Sequence, residues 1–229
     1  MDIIIAKQRS ISIVASFAVF MLTLLLTVSG KMDAINISLT DSIFLIRNPA
    51  LTLILKVTSE ISKWFVYVPI ALFLTAVPKL RWKYGIPSAV TLAISASLNT
   101  ILKLCIAIPR PDTHRLIAET GFGFPSGHAM NGTAFIGICT FLFIQHSTKK
   151  RSQKITAAVS AIVFILAVGF SRVYLGVHNP TDVISGYAMG LFLCLCAHTT
   201  LIFGCQRKYE NGSEKIRTSL SRRTFPWRR

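Results

Sequence analysis

Acidic residues are scarce in this sequence: 9 Asp and Glu stand against 25 Lys and Arg. Charged residues make up only 15% of the 229 residues, whereas soluble domains carry about 25%. Together with 52% hydrophobic residues, this composition excludes a disordered chain and a coiled coil. Five cysteines without a C-x-x-C pair argue against a disulfide-stapled secreted module and a zinc site. The composition favours one domain, residues 1–229, that crosses a membrane several times.

Six apolar segments stand out along the chain, and each is expected to cross the membrane. They are expected to be helices, because open backbone groups cannot be satisfied inside a bilayer. Lys56, Glu60 and Lys63 interrupt the early half of the second segment. Its transmembrane helix is therefore expected to begin near Trp64, after a short interfacial piece. The predicted segments are Ile11–Val28, Ala50–Val77, Ile86–Ile108, Ala129–Ile144, Ile155–Phe170 and Val183–Phe203. The sequence thus predicts an all-α polytopic membrane protein with six transmembrane helices.

Basic residues are unevenly distributed between the two sides that this arrangement creates. Most lysines and arginines fall on the side of the N-terminus, including a cluster in residues 206–229. Cytoplasmic loops carry such an excess, so we predict a multi-pass protein of the cell membrane with both termini and the basic tail 206–229 in the cytoplasm. This asymmetry explains the net charge of +16 without nucleic acid, and the expected contact of the tail is anionic lipid. No oligomeric state follows from the sequence.

Polar residues concentrate in the two loops that follow the third and fifth predicted spans. Because both loops follow odd-numbered spans, they must emerge on the same face of the membrane. Two distant clusters are therefore able to build one site at the outer membrane–water boundary. The clusters are Lys103, Arg110-Pro111 and Pro125-Ser126-Gly127-His128 in the first loop, and Ser171-Arg172 and His178-Asn179-Pro180-Thr181-Asp182 in the second.

The residue types in these clusters suit phosphate chemistry. Three cations lie near helix ends at the bilayer edge, where they can bind an anion: Lys103, Arg110 and Arg172. Ser126 and Gly127 open a helix whose free N–H groups also attract an anion. Of the two histidines, His128 and His178, one can attack phosphorus while Asp182 fixes its tautomer, and the other can protonate a leaving oxygen.

Each of these residues also has an ordinary structural interpretation. Asp182 can be an acidic residue in the first turn of a helix, Lys103 can be a snorkelling residue at the end of a span, and His128 can be purely structural. A metal site built from the two histidines and the aspartate is disfavoured, because the three cations would oppose a divalent ion. Neither a metal nor a cofactor is therefore predicted. Tyr174 and the aromatic residues 64–67 are interpreted as interfacial aromatics.

Three motifs resemble those of the lipid phosphate phosphatase (type 2 phosphatidic acid phosphatase) superfamily, in its bacterial membrane-integral branch. The family motifs K-x6-R-P, P-S-G-H and S-R-x5-H-x3-D match Lys103–Pro111, Pro125–His128 and Ser171–Asp182 without departure. Vanadium haloperoxidases share this motif set. Their substrate is not a lipid, however, and a chain that is half membrane segment argues against that branch.

The resemblance implies a metal-independent phosphatase whose helical bundle opens to the outer leaflet. It implies that His178 is the nucleophile that forms a phosphohistidine and that Asp182 orients it. His128 is then the general acid for the departing group. The implied phosphate-binding residues are Lys103, Arg110, Ser126, Gly127 and Arg172.

The expected substrate is a membrane lipid phosphate or diphosphate. Undecaprenyl diphosphate, phosphatidylglycerophosphate and phosphatidate are the candidates, with a lipid A phosphate as an alternative. A non-catalytic lipid or anion transporter on the same fold is the competing function. The intact set of His128, His178 and Asp182 favours an enzyme, because binding alone needs the cations but not a nucleophile and an acid.

Overall fold

The computed structural model describes the backbone of residues 2–112 and 114–223 and the side chains of residues 7–112 and 114–201. Within these ranges the regular structure is helical throughout, which confirms the all-α prediction. The helices are α1 (Asp2–Val28), α2 (Asp33–Phe44), α3 (Pro49–Ile61), α4 (Trp64–Ala76), α5 (Pro78–Leu80), α6 (Ile86–Ile106), α7 (Gly127–His146), α8 (Arg151–Tyr174) and α9 (Pro180–Arg223), and a π-helical turn (Arg81–Gly85) joins α5 to α6. The side chains of the predicted basic tail, 206–229, lie outside the described residues.

Five helices in the described part of the chain are long and apolar enough to cross a membrane, and α3 with α4 forms a sixth span if the bent pair counts as one. These two helices meet at 44° across a break at Ser62 and Lys63. Helix α4 begins at Trp64, as the charged residues before it predict. Helix α3 begins at Pro49, after an Asn48 side chain that caps the first turn. The second predicted span therefore corresponds to two helices, α3 and α4, that are separated by a break.

Helix α2 follows the first span and was not among the predicted segments. Its 12 residues are too few to cross a bilayer. Its buried Asn36 donates from Nδ2 to Thr181 Oγ1 at 3.0 Å and accepts the Thr181 N–H at 3.3 Å. Thr181 lies in the first turn of α9, where backbone N–H groups have no partner within the helix. Helix α2 therefore caps α9 and holds its first turn in place.

Tyr174 is buried rather than interfacial, so its interpretation as a membrane-interface aromatic is wrong. Its hydroxyl accepts the Asn48 N–H at 3.1 Å and lies 2.9 Å from Thr52 Oγ1. The Arg47 guanidinium donates to the Tyr174 carbonyl at 2.6 and 3.0 Å, which satisfies a carbonyl at the C-terminal end of α8. These contacts tie the link between α2 and α3 to the end of α8. Tyr67 is buried too, whereas Trp64 is 74% exposed.

Helices α7 and α9 approach each other closely at two glycines of α9 that are four residues apart. A Cβ atom at Gly186 would lie 2.7 Å from the Ser126 carbonyl oxygen, and one at Gly190 would lie 2.8 Å from the Thr133 Cβ. Both distances are shorter than real contacts allow, so only glycine permits this spacing. Small residues at such intervals let membrane helices pack backbone to backbone. The close contact brings the start of α7 next to the start of α9.

Replacing Gly190 with alanine is expected to destabilise the protein. The new Cβ would meet the Met130 carbonyl and the Thr133 Cβ on α7, and overpacking of this kind costs about 1–3 kcal/mol. The higher helix propensity of alanine, worth about 1 kcal/mol, offsets only part of this cost. The measurement is the thermal unfolding midpoint in detergent, with Leu191→Ala as the control, since Leu191 is 40% exposed on the same helix. A Gly190→Ala midpoint at or above that of the wild type would contradict the expectation.

Candidate active site

The loop between α6 and α7 and the loop between α8 and α9 lie against each other. The Ser126 N–H donates to the Asp182 carbonyl at 2.9 Å. In the second loop, Gly176 has a φ of +74°, and a Cβ there would lie 2.7 Å from the His114 carbonyl oxygen in the first loop. Glycine adopts this backbone conformation without strain and leaves the space that the other loop fills. The two polar clusters of the sequence therefore meet.

The imidazole of His178 is buried and is held through both ring nitrogens. Nδ1 lies 3.3 Å from Asp182 Oδ2, and Nε2 lies 2.9 Å from Arg110 Nη1. Because a guanidinium can only donate, Nε2 accepts the second bond and the ring proton lies on Nδ1. In this tautomer Nε2 carries the lone pair, and it is the nitrogen able to act as a nucleophile. A ligand that draws Arg110 away would expose this lone pair.

Asp182 has a capping role as well as its contact with His178. Its Oδ2 also accepts the Asn179 N–H at 2.9 Å. Asn179 immediately precedes α9, and Asp182 is the third residue of that helix, so the contact is one half of a capping box. The structural interpretation of Asp182 and its contact with the imidazole are thus compatible, because one carboxylate oxygen makes both bonds.

The surroundings of His178 keep its ring neutral. Burial is the largest cause, and the positive charges of Arg110, Arg172 and Lys103 add to it; together they lower the pKa of His178 well below the usual 6.5. A lower pKa means that the proton leaves the ring at a lower pH. The Nε2 lone pair is therefore present throughout the neutral range.

The pH profile of activity is expected to reflect this lowered pKa. With His178 as the nucleophile, kcat/KM should not decline as the pH falls through 6.5 and should decline only at lower pH, because the neutral imidazole persists there. The measurement is the steady-state rate in detergent micelles from about pH 5 to about pH 8, corrected for the ionisation of the substrate phosphate itself. A decline in kcat/KM near pH 6.5 on acidification that survives this correction would contradict the expectation.

Glu119 links two of the predicted phosphate-binding arginines, although it was not among the predicted site residues. Its Oε1 accepts from Arg172 Nη2 at 2.5 Å, and its Oε2 lies 3.9 Å from Arg110 Nη2. Arg172 is fully buried and also donates to the Ser59 hydroxyl of α3. A buried guanidinium needs a counter-charge, and Glu119 supplies it. The sequence signal that was available is an acidic residue, Glu119, in the loop that also carries the motif residue Arg110.

The remaining predicted site residues lie at the end of α6 and the start of α7. Lys103 Nζ donates to a backbone carbonyl of the loop between these helices at 2.6 Å. Ser126 is the N-cap residue of α7, and Gly127 and His128 are its first two residues. Six buried side-chain polar atoms have no hydrogen-bond partner among the described residues, and three of them belong to predicted site residues and can donate to an anion: Ser126 Oγ, His128 Nε2 and Arg172 Nε. Such atoms are normally paired, so these three remain for a bound anion.

A cavity of about 240 Å³ joins these groups. The predicted site residues that line it are Lys103, Arg110, Gly127, His128 and His178. Ser126, Arg172 and Asp182 are buried and are not among the lining residues. The cavity continues between α4 and α6 along an apolar wall that consists of Trp64, Val68, Leu92 and Ala96. In the described part of the chain, no group of three or more His, Cys, Asp or Glu side chains is arranged to hold a metal ion.

Comparison with known proteins gives consistent matches. Residues 84–203 match the family model described as the PAP2 superfamily, a range that contains all the predicted site residues. A phosphatidylglycerophosphatase B of Bacillus subtilis is 41% identical over 42% of this chain and 47% of its own length. An undecaprenyl-diphosphatase of Sulfolobus acidocaldarius is 30% identical over 59% of this chain and 63% of its own length. The alignments thus cover about half to two thirds of these relatives.

A solved structure resembles the fold over most of its length. The crystal structure of a transmembrane PAP2-type phosphatidylglycerolphosphate phosphatase from Bacillus subtilis superimposes with a TM-score of 0.77 and 26% sequence identity. The superposition covers 82% of this chain and 95% of that one. The helical arrangement therefore extends well beyond the range of the sequence alignments.

Proposed function

The chain belongs to the PAP2 superfamily, and from this premise we propose that it is a membrane phosphatase that hydrolyses a lipid phosphate or diphosphate through a phosphohistidine. One observation carries the proposal. A neutral His178, with its lone pair on Nε2, and a His128 with an unpartnered ring nitrogen line one cavity together with Lys103 and Arg110. A binding protein would need the cations but would have no use for the two rings.

In the proposed first step, His178 Nε2 attacks the terminal phosphorus in line with the leaving oxygen. The bond from phosphorus to that oxygen breaks, its electron pair stays on the oxygen, and His128 donates a proton to it. Asp182 accepts the Nδ1–H bond and stabilises the positive charge that develops on the imidazole. The phosphoryl oxygens are bound by Lys103, Arg110, Arg172, Ser126 and Gly127. Water then takes the phosphoryl group from His178, activated by His128 as a base, and inorganic phosphate leaves.

Arg110 and Glu119 would change partners when the substrate arrives. Without a ligand, Arg110 donates to His178 Nε2, and Glu119 contacts Arg110 and Arg172. A phosphate dianion offers these guanidinium groups stronger, charge-assisted bonds. Arg110 then turns from the imidazole to the phosphoryl oxygens and frees the nucleophile. Substrate binding and exposure of the lone pair are therefore one event.

We propose that the lipid chain of the bound substrate extends out of the cavity through the gap between α4 and α6. The apolar wall of the cavity lies there, and Trp64 and Val68 are 74% and 37% exposed on the outside of the bundle. A lipid tail can extend from this opening into the bilayer while the phosphate remains among the cations.

We further propose that residues 1–229 form one six-span unit with both termini in the cytoplasm and the site at the outer surface. The asymmetry of lysine and arginine supports that orientation.

The experiment that tests the function is phosphate release from a panel of lipids in mixed micelles. The panel contains undecaprenyl diphosphate, phosphatidylglycerophosphate, phosphatidate and lipid A, each with and without a metal chelator. We expect release from at least one lipid at an unchanged rate in the chelator, since cations of the protein hold the phosphate. Protein with Asp182→Ala, purified identically, controls for contaminating phosphatases. Absence of release from every lipid, or its loss in the chelator, would refute the proposal.

A further inference from the structure

Lys63 is a further cation that lines the cavity, in addition to the motif residues Lys103 and Arg110. It occupies the break between α3 and α4, directly before the first residue of α4. It lines the same cavity as His128 and His178. In the sequence Lys63 only interrupts an apolar segment. The break in the second span therefore turns a residue of that segment toward the site.

Lys63 and His128 line the same cavity, and the positive charge of Lys63 acts on the His128 imidazole. Arg110 instead contacts the nucleophile directly, since its Nη1 lies 2.9 Å from His178 Nε2. Lys63 is therefore the lining cation that we associate with the residue proposed to protonate the leaving group.

The ammonium group of Lys63 can be recruited by a ligand. It lies 2.5 Å from Glu60 Oε1, and the two side chains are 28% and 52% exposed. An exposed ion pair of this kind contributes no more than about 1 kcal/mol. A phosphate group with two negative charges competes well against one exposed carboxylate. Glu60 therefore holds the Lys63 side chain in position, but the ion pair can be exchanged for a contact with phosphate.

The Tyr67 hydroxyl is a second, independent indication that a polar ligand binds near Lys63. It lies one helical turn after Lys63 on α4 and lines the same cavity. Its side chain is 4% exposed, and its hydroxyl has no hydrogen-bond partner in the part of the chain that the structure describes. A buried tyrosine hydroxyl usually finds a partner. A phosphate oxygen near Lys63 would provide one.

We propose that Lys63 and Tyr67 form a second phosphate subsite, so that the substrate class of this phosphatase is lipid diphosphates. This inference rests on the proposed function. When His178 attacks the terminal phosphorus of a diphosphate, the electron pair of the broken bond stays on the bridging oxygen. His128 donates its proton to that oxygen, and the leaving group is a lipid monophosphate. Its negative charge then lies beside Lys63, whereas the neutral alcohol released from a lipid monophosphate has no need of a cation there.

The test compares two prenyl lipids of identical chain length, one a diphosphate and one a monophosphate. In Lys63→Gln, the ratio of kcat/KM for the diphosphate to kcat/KM for the monophosphate is expected to fall about tenfold, because one charge-assisted contact is lost. Lys63→Arg should restore most of the ratio, and Tyr67→Phe should lower it severalfold. Lys56→Gln, on α3 away from the cavity, is the matched control. An unchanged ratio in Lys63→Gln would overturn the subsite.

A binding measurement separates the subsite from the chemistry. The probes are a non-hydrolysable prenyl methylenebisphosphonate and the corresponding monophosphonate, titrated against the wild type and Lys63→Gln. The wild type should prefer the bisphosphonate, and Lys63→Gln should lose about tenfold of that preference. If this result appears but no lipid is hydrolysed, the subsite stands and the proposed function fails. If lipids are hydrolysed and the preference does not depend on Lys63, the subsite fails and the proposed function stands.

Discussion

His178→Ala is expected to lower the rate of phosphate release by a factor of about 10⁴ or more, because it removes the atom that forms the covalent bond. Among the described residues that line the cavity, the other imidazole, that of His128, lies at the start of α7 and not in the position of His178 Nε2, the nitrogen bonded to Arg110. The measurement is steady-state release combined with trapping. Substrate labelled in its terminal phosphate is mixed with enzyme and quenched rapidly without acid, since phosphohistidine is acid-labile.

The wild type should retain label on the protein after the quench, and His178→Ala should retain none. His114→Ala is the matched control, because His114 is an exposed histidine of the neighbouring loop and should behave like the wild type in both assays. A labelled His178→Ala protein would mean that another residue is phosphorylated. Equal activity in His178→Ala and the wild type would exclude a covalent mechanism through His178.

The sequence predicts the residues that meet at the site better than it predicts the residues that hold them there. The motif residues share loops on one face by the parity of the spans, and the structure brings them together. The partners Glu119, Ser59 and Asn36 carry no comparable signal. Asn36 lies in a segment too short for a span, and Ser59 is a serine in an interrupted one. Their roles depend on which helices become neighbours, and no local pattern encodes that.

The break in the second span shows what the sequence pattern can predict and what it cannot. Charged residues before Trp64 predict where α4 begins, because they cannot lie in hydrocarbon without a partner. The same residues do not reveal that the break faces the cavity, since that depends on the packing of α4 against α6 and α7. The spacing of Gly186 and Gly190 likewise signals a close helix contact, but only the structure identifies α7 as the partner.

His128→Ala is expected to lose about 10³-fold in kcat/KM with a lipid phosphate, the typical contribution of a positioned general acid. The loss of kcat/KM in this variant should be much smaller with an aryl phosphate, because a phenolate departs without needing a proton. This contrast follows from the position of His128, which opens α7 and has a buried ring nitrogen without a partner in the described residues. The measurement is the pair of kcat/KM values in the variant and in the wild type.

The contrast between the two substrates also separates His128 from the residues that bind phosphate. Arg110→Gln should weaken both reactions to a similar extent, because the phosphoryl oxygens are the same in each substrate and Arg110 faces the nucleophile rather than the leaving group. It is therefore the control for a general loss of substrate binding. If His128→Ala lowered kcat/KM equally for both substrates, His128 would bind the phosphoryl group or stabilise the fold and would not act as the general acid. The leaving-group dependence thus decides which of the two histidines donates the proton.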